Sequence, residues 1–355
     1  MKPVYLPGRG LACALGLELG EALVALCQGG FATANYSLNG EGAASYPYCA
    51  ISCVGNDWHE RARALVQRVG AEAGAQQARG GALFIATSSF DIGAVEHGAA
   101  QLDYSAFSDR IAAWLDWTGP VYLVNTACTS SLNALLAAHA LLSVGEEEEA
   151  LVLGLELDNQ LTLGGFAAMQ LLSSSRSQPF GAHRDGLVLG EAVAALRLST
   201  RESSRWQMLG GANVVDGKQP TGASAAVVAS MTQRALAQCG LTTDAIDLIK
   251  VQAAGSPAND AAEAQGLHEA FQVMPALVSL KAAIGHTMGA SGAAEIALLT
   301  ACLDHGHGAW PTYLDTVDTT LGVDLVAHQP DSVRRVMATI LGFGGSHAAV
   351  VLERA

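Results

Sequence analysis

The chain has 355 residues, with 19 Lys and Arg against 33 Asp and Glu and a formal net charge of −14. This acidity argues against a nucleic-acid binder, because phosphate contacts need a dense basic surface. Half of the residues are apolar and 15% are charged, so the chain can form a large buried core and is not disordered. Abundant Gly and Ala with few aromatic residues indicate one tightly packed α/β unit.

The sequence predicts neither a membrane span nor a leader peptide. Apolar stretches such as 134–142 are short, and His139 interrupts this one. Residues 1–11 have no long apolar segment behind a basic one, and we predict a strand followed by a glycine turn there. We therefore expect a cytoplasmic protein. The seven cysteines have no CxxC or zinc-finger spacing, so most of them are expected to be small buried residues.

Short apolar runs alternate with longer Ala- and Leu-rich segments in the first half of the chain, which is typical of βα units. We predict strands at 82–87, 121–126 and 150–155, a helix around 134–142, and a solvated acidic turn at 146–149. The order strand, helix, turn, strand is a right-handed crossover, and it predicts a parallel sheet.

The second half shows the same alternation. The predicted elements are strands at 246–252 and 277–281, helices at 260–271 and 290–303, and a closing hairpin of 336–342 with 347–352. A polar stretch near residue 200 predicts a boundary there, with an N-terminal half of 1–200 and a C-terminal half of 201–355. Two similar halves suggest an internal duplication.

Cys128 follows a predicted strand directly and precedes a predicted helix. At a helix N-terminus, free backbone amides and the helix dipole favour a thiolate, so the pKa of this thiol is expected to fall. A lowered pKa would make Cys128 a candidate nucleophile. By its position alone it would more often be a packing residue than a nucleophile.

Motifs further along the chain favour the nucleophile. They are Gln178-Pro179-Phe180, Arg184-Asp185-Gly186, Gly190-Glu191-Ala192, Lys281 followed by Gly285-His286-Thr287-Met288-Gly289-Ala290, and Leu341-Gly342-Phe343-Gly344-Gly345. In this order they resemble the β-ketoacyl synthase family, the condensing enzymes of fatty-acid and polyketide assembly. The resemblance implies the thiolase fold, an α/β fold with two βαβαβαββ halves in five α/β/α/β/α layers.

The resemblance also implies roles for individual residues. Cys128 matches the nucleophile that accepts an acyl chain from a carrier protein. His286 matches the second of two histidines that polarise a thioester carbonyl, and Lys281 matches a supporting lysine. Glu191 matches a buried glutamate that should have a partner, because an unpaired buried charge is costly. No cofactor is implied beyond the phosphopantetheine arm of the carrier.

The first family histidine is missing. Asn259, Asp260 and Glu263 align with the family pattern, and this alignment places Ala254 where the family has histidine, with a loop about two residues shorter. Alanine donates no hydrogen bond, so malonyl decarboxylation should be slower by about 100-fold. Two further departures concern Leu341, where many elongating members have a gating phenylalanine before Phe343, and His347, where the family usually has Asn.

These departures leave two functions open. The chain resembles a chain-length factor, the partner subunit of a ketosynthase in type II polyketide or aryl polyene systems, but such subunits mostly replace the cysteine that this chain keeps. The alternative is a competent 3-oxoacyl carrier-protein synthase that uses Cys128 and His286 as a homodimer. Neither a hydrolase elbow, a P-loop nor a complete dinucleotide fingerprint is present in the sequence.

The expected partners are an acyl carrier protein and a ketosynthase subunit, or a second copy of this chain, with no nucleic acid and no membrane. In the family, the strand before the nucleophile forms the dimer contact, which here corresponds to 121–126. Carrier proteins are acidic, whereas this chain has only four lysines and few candidate docking arginines, such as Arg61, Arg68 and Arg335. We therefore expect the carrier to dock mainly on the partner.

Overall fold

A computed structural model of the chain describes residues 1–30, 33–39, 44–52, 57–99, 101–218, 221–306 and 308–355. The elements up to residue 200 are, in chain order, β1 (Val4–Cys13), α1 (Leu19–Cys27), β2 (Ala34–Ser37), β3 (Ser45–Cys49), α2 (Trp58–Glu72), α3 (Ala75–Ala78), β4 (Ala82–Ala86), α4 (Ile92–Glu96), α5 (Tyr104–Trp114), β5 (Val121–Val124), α6 (Ser130–Val144), β6 (Glu149–Glu156), α7 (Gln160–Ala168), β7 (Leu189–Gly190) and β8 (Ala192–Ser199). The remaining elements are β9 (Trp206–Val215), α8 (Ala225–Gln238), β10 (Leu248–Lys250), α9 (Pro257–Ala270), β11 (Ala276–Val278), α10 (Lys281–Ile284), α11 (Ser291–His305), β12 (Arg335–Leu341) and β13 (Ser346–Arg354).

The main sheet has ten strands in the order β11-β10-β12-β13-β9-β1-β8-β6-β4-β5. In the N-terminal half, β4, β5 and β6 are parallel, and β8 runs antiparallel between β6 and β1. In the C-terminal half, β10, β11 and β12 are parallel, and β13 runs antiparallel between β12 and β9. The two halves therefore have the same topology, which confirms the duplicated thiolase fold.

The hydrophobic core explains the five layers. One cluster joins α6 and α11 to the inner faces of both halves of the sheet, for example through Leu135, Ile296 and Val350. A second cluster packs α2 and α5 on the outer face of the N-terminal strands. A third packs α8 and α9 on the outer face of the C-terminal strands. Helices thus cover each face of both sheet halves, as buried parallel strands require.

Several predicted elements need correction. The glycines near the N-terminus lie inside β1 and form no turn. A Cβ on Gly8 would lie 1.9 Å from the backbone oxygen of Ala73, so glycine is needed there because α2 packs closely on the strand. Lys281, predicted at a strand end, instead begins α10. The predicted boundary near residue 200 stays a prediction.

The apolar stretch after Cys128 is longer than the expected 134–142. Residues 127–144 are long and apolar enough for a membrane span by length and composition, but 56% of this stretch is buried inside the molecule. Its residues Leu132, Leu135 and Leu142 belong to the central cluster. The stretch is therefore a core helix of the middle layer.

Candidate active site

Cys128 lies on a sharp turn between β5 and α6. Ala127, just before it, has a φ of 54°, and its backbone N–H donates to Asn125 Oδ1 at 3.2 Å. A positive φ at a residue other than glycine is uncommon and costs backbone energy. The turn directs the thiol inward, and Cys128 is buried.

Burial determines the state of this thiol. It raises the pKa of Cys128 to about 11, against the opposing effects of a hydrogen bond from the Phe343 backbone and the charge of Lys281. Helix α6 begins two residues later, with Thr129 at its N-cap, so the helix dipole has a small effect here. The expected fall in pKa was wrong, because loss of solvation outweighs the helix terminus. The resting sulfur carries its proton.

His286 lies against the thiol. Its Nε2 is 3.1 Å from Cys128 Sγ, and its Nδ1 is 3.0 Å from Ser291 Oγ. Burial lowers the pKa of His286 well below its usual value, and the charges of Lys281 and Lys250 act in the same direction. With the proton on Nδ1, a neutral imidazole accepts the thiol proton at Nε2, which is the geometry of a base beside a nucleophile.

A buried ion cluster lies beneath this pair. The ammonium groups of Lys281 and Lys250 both contact the carboxylate of Glu295, and Lys250 Nζ also donates to the Thr339 backbone oxygen at 2.6 Å. All three charged side chains are fully buried. Burial lowers the pKa of Lys250 to about 8. The sequence analysis named Lys281 but missed Lys250 and Glu295. Charged residues inside apolar segments were the available signal, because buried charges need partners.

Glu191 belongs to a different cluster. Its carboxylate accepts from Arg61 Nη1 and Nη2 at 2.7 and 2.6 Å, and from the backbone N–H groups of Ile51 and Asp158. Glu191 therefore has the buried partner that was expected. Because Arg61 also contacts the carboxylate of Asp158, this arginine is engaged within the fold and does not form a carrier-docking surface.

Ala254 lies in an anchored segment after β10. The carboxylate of Glu263 accepts from the backbone N–H groups of Gln252 and Ala253, and that of Asp260 accepts from those of Ala254 and Gly255. Burial raises the pKa of both carboxyl groups, to about 7 for Asp260. These contacts hold the methyl group of Ala254 in place on the wall of the cavity described next.

A small cavity of about 20 Å³ connects these elements, and it is lined by Cys128, Phe166, Leu187, Gln252, Ala254, Ser256, Asn259, Asp260, His286, Leu341 and Phe343. Phe343 stacks on Phe166, with ring centroids 5.2 Å apart. Phe343 also lines an open hollow of about 470 Å³ on the other side, with Thr126, Asn133 and Val215. This ring therefore separates the enclosed cavity from the surface.

His347 is not among the residues that line this cavity. It faces Leu341 across the β12–β13 hairpin, and the alternate residues Ala349 and Val351 belong to the outer core of the C-terminal half. Side chains at alternate positions of a strand point to the same face. His347 therefore belongs to the same face as Ala349 and Val351.

The structure thus brings Cys128, His286, Ala254, Leu341 and Phe343 around one cavity. A family model described as the β-ketoacyl synthase N-terminal domain matches residues 61–204, and one for the C-terminal domain of the same family matches residues 208–314. The chain belongs to the β-ketoacyl synthase family.

Relatives and solved structures agree with this assignment. The chloroplastic 3-oxoacyl-[acyl-carrier-protein] synthase II of Arabidopsis thaliana is 30% identical over 268 residues, 69% of this chain and 49% of that protein. The chain therefore spans about half the length of this β-ketoacyl synthase relative.

Among solved structures, the ishigamide ketosynthase/chain length factor has a TM-score of 0.87 at 21% identity and covers 100% of this chain and 99% of its own. A ketosynthase (ApeO) in complex with its chain length factor (ApeC) from Xenorhabdus doucetiae has a TM-score of 0.83 at 21% identity, with 100% and 98% covered. At this identity both structures support the β-ketoacyl synthase fold.

Proposed function

We propose that this chain acts in carrier-protein-bound fatty-acid or polyketide elongation as the chain-length-factor-like subunit of a ketosynthase heterodimer. The observation that carries this proposal is Ala254, buried on the wall of the cavity beside Cys128 and His286. Decarboxylative condensation develops negative charge on a thioester oxygen, and each hydrogen-bond donor aimed there typically contributes about 3 kcal/mol. With alanine at this position, the site has one imidazole where the family pattern has two.

The size of the cavity supports the same role. A space of about 20 Å³ holds about one water molecule, which is too little for an extended acyl chain. The larger hollow beyond Phe343 is open at the surface, and a partner that covered it would turn it into a channel. The small enclosed cavity and the open hollow are what we expect of a subunit that forms an acyl channel together with its partner.

Strand β5 offers the surface for such a partner. It is the edge strand of the ten-stranded sheet, and it leads directly into the turn that carries Cys128. The exposed edge of a strand has unpaired backbone groups that can pair with another chain. Tyr122, on this strand, is 42% exposed. We infer that the sheet continues into the partner here.

A second function is favoured by the distance of 3.1 Å between His286 Nε2 and Cys128 Sγ. A nucleophile and a base in contact are what acyl transfer requires. Under this alternative, the chain is a competent 3-oxoacyl carrier-protein synthase that works as a homodimer.

The deciding experiment mixes the purified chain with acyl and malonyl carrier proteins, alone and with a cognate ketosynthase. We expect β-ketoacyl product only when both subunits are present. In the complex, Cys128→Ala on this chain should leave the product unchanged. Product from the chain alone, lost in Cys128→Ala, would instead establish the homodimeric synthase.

The interface has a matched test. Tyr122, on the edge strand, stacks on Phe84 with ring centroids 4.9 Å apart. Tyr104, on α5, contacts Phe90 in a tilted arrangement with centroids 4.6 Å apart. Tyr122→Lys should weaken assembly with the ketosynthase by at least tenfold, because it places a charge in the buried centre of the interface. Tyr104→Lys should assemble normally. Equal assembly of both variants would remove β5 from the interface.

A further inference from the structure

Glu156 is a buried carboxylate at the end of β6, with 3% of its surface exposed. Its two oxygens accept from the hydroxyl groups of Thr87, Ser88 and Ser89 at 3.3, 2.7 and 2.5 Å, and from the backbone N–H of Ser88. Burial raises the pKa of Glu156, and these hydrogen bonds act against the rise. An ionised carboxylate can only accept hydrogen bonds, so four donors aimed at its oxygens favour the ionised form.

Strand β6 places this carboxylate on the same side of the sheet as the thiol. Ala150 and Val152 belong to the central cluster, which also contains Cys128. Side chains at alternate positions of a strand share one face, so Glu156 belongs to the face of Ala150 and Val152. Because β6, β4 and β5 are adjacent and parallel, Glu156 and Cys128 both lie at the carboxyl ends of these strands.

The loop that binds this carboxylate also supports the nucleophile turn. The backbone oxygen of Ser88 accepts from Asn125 Nδ2 at 3.3 Å, and Asn125 Oδ1 accepts from the backbone N–H of Ala127 at 3.2 Å. Ala127 directly precedes Cys128. Hydrogen bonds therefore connect the loop around Glu156 to the turn that carries the thiol.

The turn that carries His286 packs on the same carboxylate. Gly289 lies in that turn, and a Cβ on it would be 2.8 Å from Glu156 Oε1 and 2.7 Å from the backbone nitrogen of Ser88. Glycine is needed there because the turn approaches the carboxylate so closely. Glu156 therefore lies beside the turn with the imidazole and is connected to the turn with the thiol.

Two charged side chains act on the thiol in opposite directions. Burial is the main cause that raises the pKa of Cys128, the negative charge of Glu156 adds to the rise, and the positive charge of Lys281 opposes it. His286 contacts the thiol, but its own pKa is lowered by burial, so its imidazole is neutral. A buried negative charge disfavours a second one nearby, because little water is present to screen it.

We propose that the carboxylate of Glu156 keeps Cys128 in its thiol form and so prevents it from accepting an acyl chain at neutral pH. This inference rests on the proposed function, since a subunit that shapes the channel for its partner does not need a reactive thiol. Only a thiolate attacks a thioester carbonyl, and the charge of Glu156 makes loss of the thiol proton to His286 unfavourable. Because it acts through Cys128, Glu156 is a positioning residue.

The experiment compares Glu156→Gln, which removes the charge, with Glu156→Asp, which keeps it in a shorter side chain. The readout is alkylation of Cys128 by iodoacetamide, followed by peptide mass spectrometry. We expect Glu156→Gln to react about tenfold faster at pH 8, the equivalent of a pKa lower by one unit, and Glu156→Asp to stay within about twofold of wild type. No acceleration in Glu156→Gln, or equal acceleration in both variants, would overturn the proposal.

A control variant tests whether any loss of a carboxylate has this effect. Glu72 accepts from the backbone N–H groups of Leu11 and Leu19 at 3.0 and 2.8 Å, away from the thiol. Glu72→Gln should therefore change the alkylation rate of Cys128 by less than about twofold. An acceleration as large as that of Glu156→Gln would show a general loosening of the fold and would overturn the proposal.

A titration makes the test independent of reagent access. The ultraviolet absorbance of the thiolate is measured as the difference between each variant and the same variant with Cys128→Ala. Its midpoint should lie about one pH unit lower in Glu156→Gln than in wild type, and Glu156→Met, which removes the charge with a different side chain, should show the same shift. An unchanged midpoint in the folded variants would overturn the role of Glu156. Normal assembly of these variants with the ketosynthase would then leave the heterodimer intact.

Discussion

The two halves of the molecule have the same topology, but they carry different reactive and charged side chains at equivalent positions. In the N-terminal half, the turn between its third sheet strand, β5, and the central helix α6 carries the thiol of Cys128. In the C-terminal half, the region between β11 and α11 carries Lys281 and His286. The contact between His286 and Cys128 joins these two turns. The two halves repeat one scaffold, and the candidate site lies where they face each other.

The buried ion clusters of the two halves differ in sign. In the C-terminal half, Glu295 contacts two lysines, Lys250 and Lys281. In the N-terminal half, Arg61 contacts two carboxylates, those of Glu191 and Asp158. Burial lowers the pKa of His286, and the excess positive charge of the two lysines acts in the same direction. The buried charges that lower the pKa of His286 therefore belong to the C-terminal half.

The largest expected effect is the loss of stability when the buried ion cluster of the C-terminal half is broken. Glu295→Gln leaves two buried lysines with no carboxylate between them and should lower the free energy of unfolding by about 3–5 kcal/mol. Glu191→Gln should cost less, because Arg61 keeps its contact with Asp158. Urea unfolding of both variants measures this. Glu353→Gln, in a partly exposed pair with Arg335, is the surface control, at about 0–1 kcal/mol. A larger loss of unfolding free energy in Glu191→Gln than in Glu295→Gln would contradict this expectation.

The next effect concerns the thiol of the N-terminal half. Because burial raises the pKa of Cys128 to about 11, the thiolate fraction should rise with pH, and alkylation by iodoacetamide should accelerate about tenfold per pH unit between pH 7 and 9. Peptide mass spectrometry follows Cys128, with the exposed Cys27 as the reference for reagent access. A rate that does not change over this range would indicate a thiolate already formed at neutral pH.

Phe343 provides a smaller effect at the boundary between the halves. Phe343→Ala removes the stack on Phe166, worth about 0.5–1.5 kcal/mol, and joins the enclosed cavity to the surface hollow. Labelling of Cys128 by a bulky maleimide should accelerate by up to about tenfold, which is the equivalent of the upper end of that range. Leu341→Ala enlarges the cavity without opening it and serves as the control. Similar acceleration in both variants would contradict a gating position for Phe343.

The smallest effect tests how the C-terminal half orients its base. Ser291→Ala removes the partner of His286 Nδ1, and one neutral hydrogen bond is worth about 1 kcal/mol. We expect alkylation of Cys128 to slow by about fivefold, which is the equivalent of that energy, with no change in its pH profile. Thr300→Ala, which removes a hydroxyl bonded only to backbone oxygens of α11, should leave the rate unchanged. A shifted pH profile in Ser291→Ala would instead indicate a role in proton transfer.

The sequence analysis located most elements but misjudged their ends. The strand expected at 246–252 is only Leu248–Lys250, and from Gln252 onward the backbone N–H groups donate to the buried carboxylates of Glu263 and Asp260. The spacing of apolar residues does not show whether a backbone N–H bonds to a neighbouring strand or to a buried side chain. The same contacts place Gln252, which no sequence motif singled out.

Motif order by itself determined the family, the duplicated fold and the missing histidine at Ala254, because each depends on which residues follow one another along the chain. Only the tertiary structure decided the protonation of Cys128 and the pairing of Lys250 with Glu295. These properties depend on burial and on contacts between residues up to 158 positions apart, as for Cys128 and His286. The pKa of Cys128 rises where a fall was expected, because burial removes water from all sides of the thiol. A helix N-terminus lowers the pKa of a thiol only when it lies close to the end of the helix axis.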